Sequence, residues 1–136
     1  MNEPDTPHPM KKPDLILVID NDDDISNMLR IYFGGHGYEV LTANSSDGKA
    51  VLENALNLTP DLVMLDPLKP GVEGFEVLKA LRKEIETQNI PLIIMTQKDE
   101  RNDRLSDLIP ERDDYMTKPF DIEELKLRIE SSIRRK

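Results

Sequence analysis

A chain of 136 residues with 38% hydrophobic and 33% charged residues has the composition of one globular domain, large enough to bury its own core. The absence of cysteine excludes disulfides, thiol catalysis and cysteine metal sites, and fits a reducing cytoplasm. A formal charge of −9, from 27 acidic and 18 basic residues, speaks against nucleic-acid binding by this chain alone, and apolar runs of only five or six residues fall far short of the roughly 20 that span a membrane.

Met1 to Pro13 holds four prolines and little apolar content, which predicts a flexible tail at 1–13 ahead of a domain at 14–136. No apolar signal-peptide core is present there. Leu15 to Ile19 reads as a buried strand. Ile25, Met28, Leu29, Tyr32 and Phe33 follow at helical spacing, and Gly34, Gly35 and Gly37 end that helix. Tyr38 to Ala43 is a second strand. Ser45 or Ser46 caps a second helix carrying Val51, Leu52, Ala55 and Leu56. Leu62 to Leu65 is the third strand, and Phe75, Leu78, Leu81 and Ile85 mark the third helix. Leu92 to Met95 is the fourth strand. A weaker fourth helix carries Leu105 and Leu108 and stops at Pro110, which breaks the helical ladder. Tyr115 and Met116 sit in a short fifth strand. Ile122, Leu125, Ile129 and Ile133 face one way on the last helix. Five strand–helix units in succession predict an α/β fold with a doubly wound parallel sheet, covered on both faces, in the order 2-1-3-4-5. A binding site is expected outside the carboxyl ends of the central strands.

The polar residues that follow the apolar runs carry the functional information. Asp20-Asn21-Asp22-Asp23-Asp24 follows the first strand, Asp66 the third, Thr96 the fourth and Lys118-Pro119 the fifth. A parallel sheet brings all four sets to one edge. Carboxylates suit Mg²⁺, a carboxylate can take a phosphoryl group, and a lysine with a hydroxyl can hold phosphoryl oxygens. Each residue also has a purely structural reading. Asp22, Asp23 and Asp24 can cap the first helix, and for Asp23 and Asp24 we prefer that role. Asp66 can be a turn residue, Thr96 a cap and Lys118 a surface lysine. Their joint placement, one set per strand end, favours the phosphoryl site. His8 and His36 have no metal-ligand partner at useful spacing, and no Gly-rich phosphate loop is present.

Leu15-Ile-Leu-Val-Ile-Asp20, Asp61-Leu-Val-Met-Leu-Asp66, Pro70-Gly-Val-Glu-Gly-Phe-Glu-Val-Leu78, Pro91-Leu-Ile-Ile-Met-Thr96 and Asp113-Asp-Tyr-Met-Thr-Lys-Pro-Phe120 together resemble the receiver domains of bacterial response regulators, from about Asp14 to the C-terminus. The resemblance implies a flavodoxin-like (βα)5 fold and a phosphoacceptor at Asp66, served by a phosphohistidine on a sensor histidine kinase or phosphotransfer protein. It implies a Mg²⁺ site at Asp20, Asn21, Asp66 and the backbone carbonyl of Leu68, with Thr96 and Lys118 on the phosphoryl group. Tyr115 occupies the aromatic switch position that follows Thr96, and a cis Lys118–Pro119 bond is expected. The partner face is that of the fourth helix, fifth strand and last helix. Arg104 with Glu124, and Asp114 with Arg128, occupy positions that pair across a two-fold axis in one subfamily, which predicts a weak homodimer, with Ile109 and Ile122 adding apolar surface.

The sequence departs from the family at four places. Asn21 replaces a usual second acid, so Mg²⁺ should bind more weakly, unless Asp22 compensates. Pro67 removes an amide beside the acceptor, Gln97 replaces a small residue, and Ile109 to Arg112 replace a glycine-containing segment. The alternative function is a receiver that works as a phosphorylation-independent interaction module. A remoter one is a haloacid-dehalogenase-type phosphatase, from the Asp20-Asn21-Asp22 run, although the acidic pair Asp113-Asp114 precedes the lysine instead of following it. The expected class is a non-enzyme, acting at most on its own phosphorylation.

Overall fold

The computed structural model describes residues 12–20, 22–43, 53–54, 57–66, 74–97 and 114–134, without the side chains of 74–78, 96–97 and 114. Five strands form one sheet: β1 (Leu15–Ile19), β2 (Glu39–Ala43), β3 (Leu62–Leu65), β4 (Leu92–Gln97) and β5 (Asp114–Lys118). All pairs are parallel and the order is β2-β1-β3-β4-β5, as the alternating pattern predicts.

The central strands β1 and β3 are apolar throughout because both faces are covered. Alternate residues feed two cores. Ile16, Val18, Met64, Ile93, Met95 and Met116 pack with Leu29 and Phe33 of the N-terminal helix (Asp23–Gly34) and with Leu125 and Ile129 of the C-terminal helix (Ile122–Arg134). Leu17, Ile19, Val63, Leu65, Leu92 and Ile94 pack on the other face with Leu81 of the middle helix (Gly74–Lys83). No described helix is long and apolar enough to cross a membrane.

Local chemistry sets the element ends. The N-terminal helix runs through Gly34, and Gly37 makes the turn into β2 at φ +91°, a left-handed value that a Cβ would strain. The middle helix stops two residues before Ile85, which corrects the expectation that Ile85 continues its buried face: Ile85 is 75% exposed. Hydrogen bonding in the following turn outweighs helical periodicity. The Thr87 hydroxyl, fully buried, donates to the Leu81 carbonyl at 2.7 Å. The Arg82 guanidinium donates to the carbonyls of Gln88 and Ile90 at 2.7 and 3.0 Å. The Leu81 carbonyl, which a longer helix would have satisfied from the amide of residue 85, is thereby already bonded.

Of the predicted second helix, residues 53–54 and 57–58 are described and helical. Its cap at Ser45 or Ser46, the predicted fourth helix with Leu105, Leu108 and Pro110, and the tail up to residue 11 lie outside the described residues.

The two positions give opposite expectations for mutation. Leu81→Ala empties a fully buried site and should cost about 2–5 kcal/mol. Ile85→Ala should change stability by no more than about 0.5 kcal/mol. Urea unfolding of both variants checks this, and equal losses would place Ile85 in the core.

Candidate functional site

Strand register builds the site. Ile19 of β1 lies level with Leu65 of β3, so the next residues, Asp20 and Asp66, leave the two central strands side by side. Lys118 closes β5, on the far side of β4, and its stem reaches back across the sheet edge. Its Nζ donates to Asp20 Oδ2 at 2.7 Å and to Asp66 Oδ2 at 2.9 Å. All three residues are buried, with Asp66 entirely so. The peptide bond from Lys118 to Pro119 is cis, as the resemblance implies.

Electrostatics explains why the lysine is tolerated there. Burial pushes its pKa down, but the hydrogen bonds and negative charge of Asp20 and Asp66 outweigh that and raise it above the ordinary lysine value. A raised folded value means that the ammonium's contribution to stability is complete below the ordinary lysine pKa. It is lost only as pH climbs through the raised one. The lysine is therefore cationic across the neutral range. Two carboxylates against one ammonium leave this trio with one negative charge in excess.

That donor set fits a hard dication. Mg²⁺ takes one or two protein carboxylates and fills its other positions with water and phosphate oxygens. No cluster of three or more acidic, His or Cys ligands forms among the described residues, so nothing here resembles an all-protein cage. Of the described residues, Asp20 and Asp66 would supply such an ion with its protein carboxylates. Asn21 and Leu68, the other expected ligands, and Pro67 lie outside the described residues.

The remaining predicted positions divide. Asp22 is the N-cap of the N-terminal helix: its Oδ1 accepts from the amides of Asp24 and Ile25 at 3.0 and 3.3 Å. Its own amide donates to Asp20 Oδ1 at 2.9 Å. Asp23 and Asp24 stand in the first turn, where negative charge suits the helix dipole. Sequence reasoning saw the cap but missed the bond back to Asp20; the signal was the two-residue spacing of an Asx turn. Thr96 lies within β4, one residue short of its end, opposite Thr117, with its side chain and that of Gln97 not described. Tyr115 is half-buried against the core face that contains Leu81. His36 stacks on Tyr32, with its Nδ1 2.7 Å from the Tyr32 carbonyl oxygen.

On the expected partner face, Arg104 and Ile109 lie outside the described residues, and Asp114 is described only as backbone. Glu124 and Arg128 pair with each other within one helix, at 2.9 Å. Ile122 is half-buried against the core, whereas Leu127 is 65% exposed. A cleft of about 300 Å³ runs between β5 and this helix, lined in part by Tyr115, Phe120, Glu124 and Arg128.

Known proteins share this fold. The model of the response regulator receiver domain family matches residues 16–130. The DNA-binding dual master transcriptional regulator RpaA of Synechocystis is 39% identical over 121 residues, 88% of this chain and 49% of the relative. The chain spans about half the length of the curated relatives it matches. Response regulator TrrA of Thermotoga maritima, solved in complex with Mg²⁺ and BeF, has a TM-score of 0.72 and 31% identity over 88% of this chain and 98% of that one. TrrA has also been solved with the histidine kinase ThkA, at the same TM-score and identity, over 88% of this chain and 97% of that one. With the family's pattern running from the first strand into the last helix, the chain belongs to the response regulator receiver domain family.

Proposed function

We propose that residues 14–136 form a phosphoacceptor receiver, in which Asp66 takes a phosphoryl group from the phosphohistidine of a sensor kinase or phosphotransfer protein. The observation that carries this reading is the fully buried Asp66 carboxylate at the end of the central strand, sharing Lys118 with Asp20. Asp20 and Asp66 would hold Mg²⁺, which when bound would neutralise charge on the phosphoryl oxygens. An Asp66 oxygen forms the new O–P bond as the donor's N–P bond breaks and the imidazole leaves with the electron pair. Asp66 needs no proton removed, because a carboxylate is already the nucleophile. Lys118 then exchanges its contact with Asp66 Oδ2 for one with a phosphoryl oxygen, and Thr96 takes another. Asp20 keeps the ammonium anchored during that exchange.

TrrA, solved both with Mg²⁺ and BeF and with a histidine kinase, supports the cofactor and the partner class by similarity. Family membership favours the receiver over the phosphatase reading. The readout we assign to the face of the predicted fourth helix, β5 and the C-terminal helix, through Thr96 and Tyr115. Self-association through that face has little to gain from Glu124 and Arg128. They already pair, and exchanging one exposed ion pair for another is worth about 0–1 kcal/mol.

Acetyl phosphate with Mg²⁺ should add one phosphoryl group to the wild type and none to Asp66→Ala, read by intact-protein mass spectrometry. Label that persists in Asp66→Ala would reject the assignment. Lys118→Met should destabilise the metal-free protein by about 3–5 kcal/mol, because it leaves two buried carboxylates without their shared cation. Mg²⁺ should recover part of that loss. A Lys118→Met protein as stable as the wild type in chelator would show that the ammonium does not hold the site together.

A further inference from the structure

We infer that Asp22 is a positioning residue for the metal and phosphoryl site: it fixes the Asp20 carboxylate through the helix cap, and is not a substitute for the acid missing at position 21. The inference rests on the proposed Mg²⁺ site and names a residue that controls it.

The two oxygens of Asp20 are held from opposite sides. Lys118 Nζ donates to Oδ2 and the Asp22 amide donates to Oδ1, at 2.7 and 2.9 Å. The lysine bond lies within the site, and the amide bond ties the carboxylate to the start of the helix. The bond from the Asp22 amide to Asp20 Oδ1 is the i to i+2 contact of an Asx turn. Asp22 itself holds extended backbone angles, φ −88° and ψ 103°, as an N-cap requires. Those angles are locked by its own Oδ1, which accepts from the amides of Asp24 and Ile25. The helix behind the cap is anchored by Leu29 and Phe33, both at most 1% exposed. A continuous chain of contacts therefore runs from the packed helix to the Asp22 side chain, to the Asp22 amide, to Asp20, and through Lys118 to Asp66.

Asn21 gives this chain of contacts its importance. With one carboxylate fewer than the family pattern, the orientation of Asp20 carries more of the cation's stabilisation. A ligand role and a positioning role for Asp22 make opposite demands on its chemistry. A ligand needs the carboxylate charge. A cap needs only a side-chain oxygen, which Ser supplies as well as Asp. Conversely, Gly is nearly as good as Thr for helix stability at this position but offers no oxygen.

The experiment compares wild type, Asp22→Ser and Asp22→Gly by two readouts: Mg²⁺ affinity by calorimetric titration, and hydrogen exchange of the amide at position 22 in metal-free protein. Asp22→Ser should bind Mg²⁺ within about two-fold of wild type and keep that amide protected. Asp22→Gly should fold, lose about ten-fold or more in affinity, as removal of outer partners of a metal site does, and exchange the amide faster. Asp22→Ser as weak as Asp22→Gly would make the carboxylate a ligand and overturn the inference. So would Asp22→Gly as tight and as protected as wild type. Absence of Mg²⁺ binding in the wild type would instead contradict the proposed function, and the exchange arm would still decide whether the cap holds Asp20.

Discussion

The buried ammonium of Lys118 between Asp20 and Asp66 is the interaction on which the site depends. It joins the first, third and fifth strands at one edge of the sheet, so the site exists only when the whole sheet is in register. Burying three charges is costly, and the geometry has to offset it with short, direct hydrogen bonds. Their 2.7 and 2.9 Å lengths meet that requirement. The excess negative charge that remains is what the proposed Mg²⁺ would offset.

Register and cap are the two supports beneath that cluster. Parallel pairing sets Ile19 level with Leu65, and the alternation of core residues on both faces resists a one-residue slip, which would move every side chain to the opposite face. The N-terminal helix then fixes the first carboxylate from behind, through Asp22. Neither support contains a group that reacts. Both decide where the reacting groups stand, and small displacements at such sites are costly.

Much of this was legible in the sequence because the sheet is buried on both faces. Leu15–Ile19 and Leu62–Leu65 are uninterrupted apolar runs, and each ends on the aspartate that matters. Strand order followed from the strand–helix alternation and the handedness of crossovers. Ile85 misled, since it falls on the helical face of Leu78 and Leu81, yet Thr87 and Arg82 bind the turn that ends the helix before it. Periodicity reports which residues could share a face, not where side-chain hydrogen bonds will stop the helix. On the C-terminal helix the periodicity held: Ile122, Leu125, Ile129 and Ile133 turn to the core, and Leu127, off that stripe, is 65% exposed. The pairing of Glu124 with Arg128 is an i,i+4 contact, and local reach within one helix competes with any partner across an interface.

In the proposed function Asp66 bears the phosphoryl group while Lys118, held by Asp20, receives its oxygens. Crystals grown with Mg²⁺ and beryllium fluoride test it most directly. Those crystals should show a beryllium fluoride adduct on Asp66, with a fluorine within hydrogen-bonding distance of Lys118 Nζ and Asp20 still bonded to that ammonium. An adduct on another aspartate, or a bare Asp66 under saturating Mg²⁺ and beryllium fluoride, would contradict it.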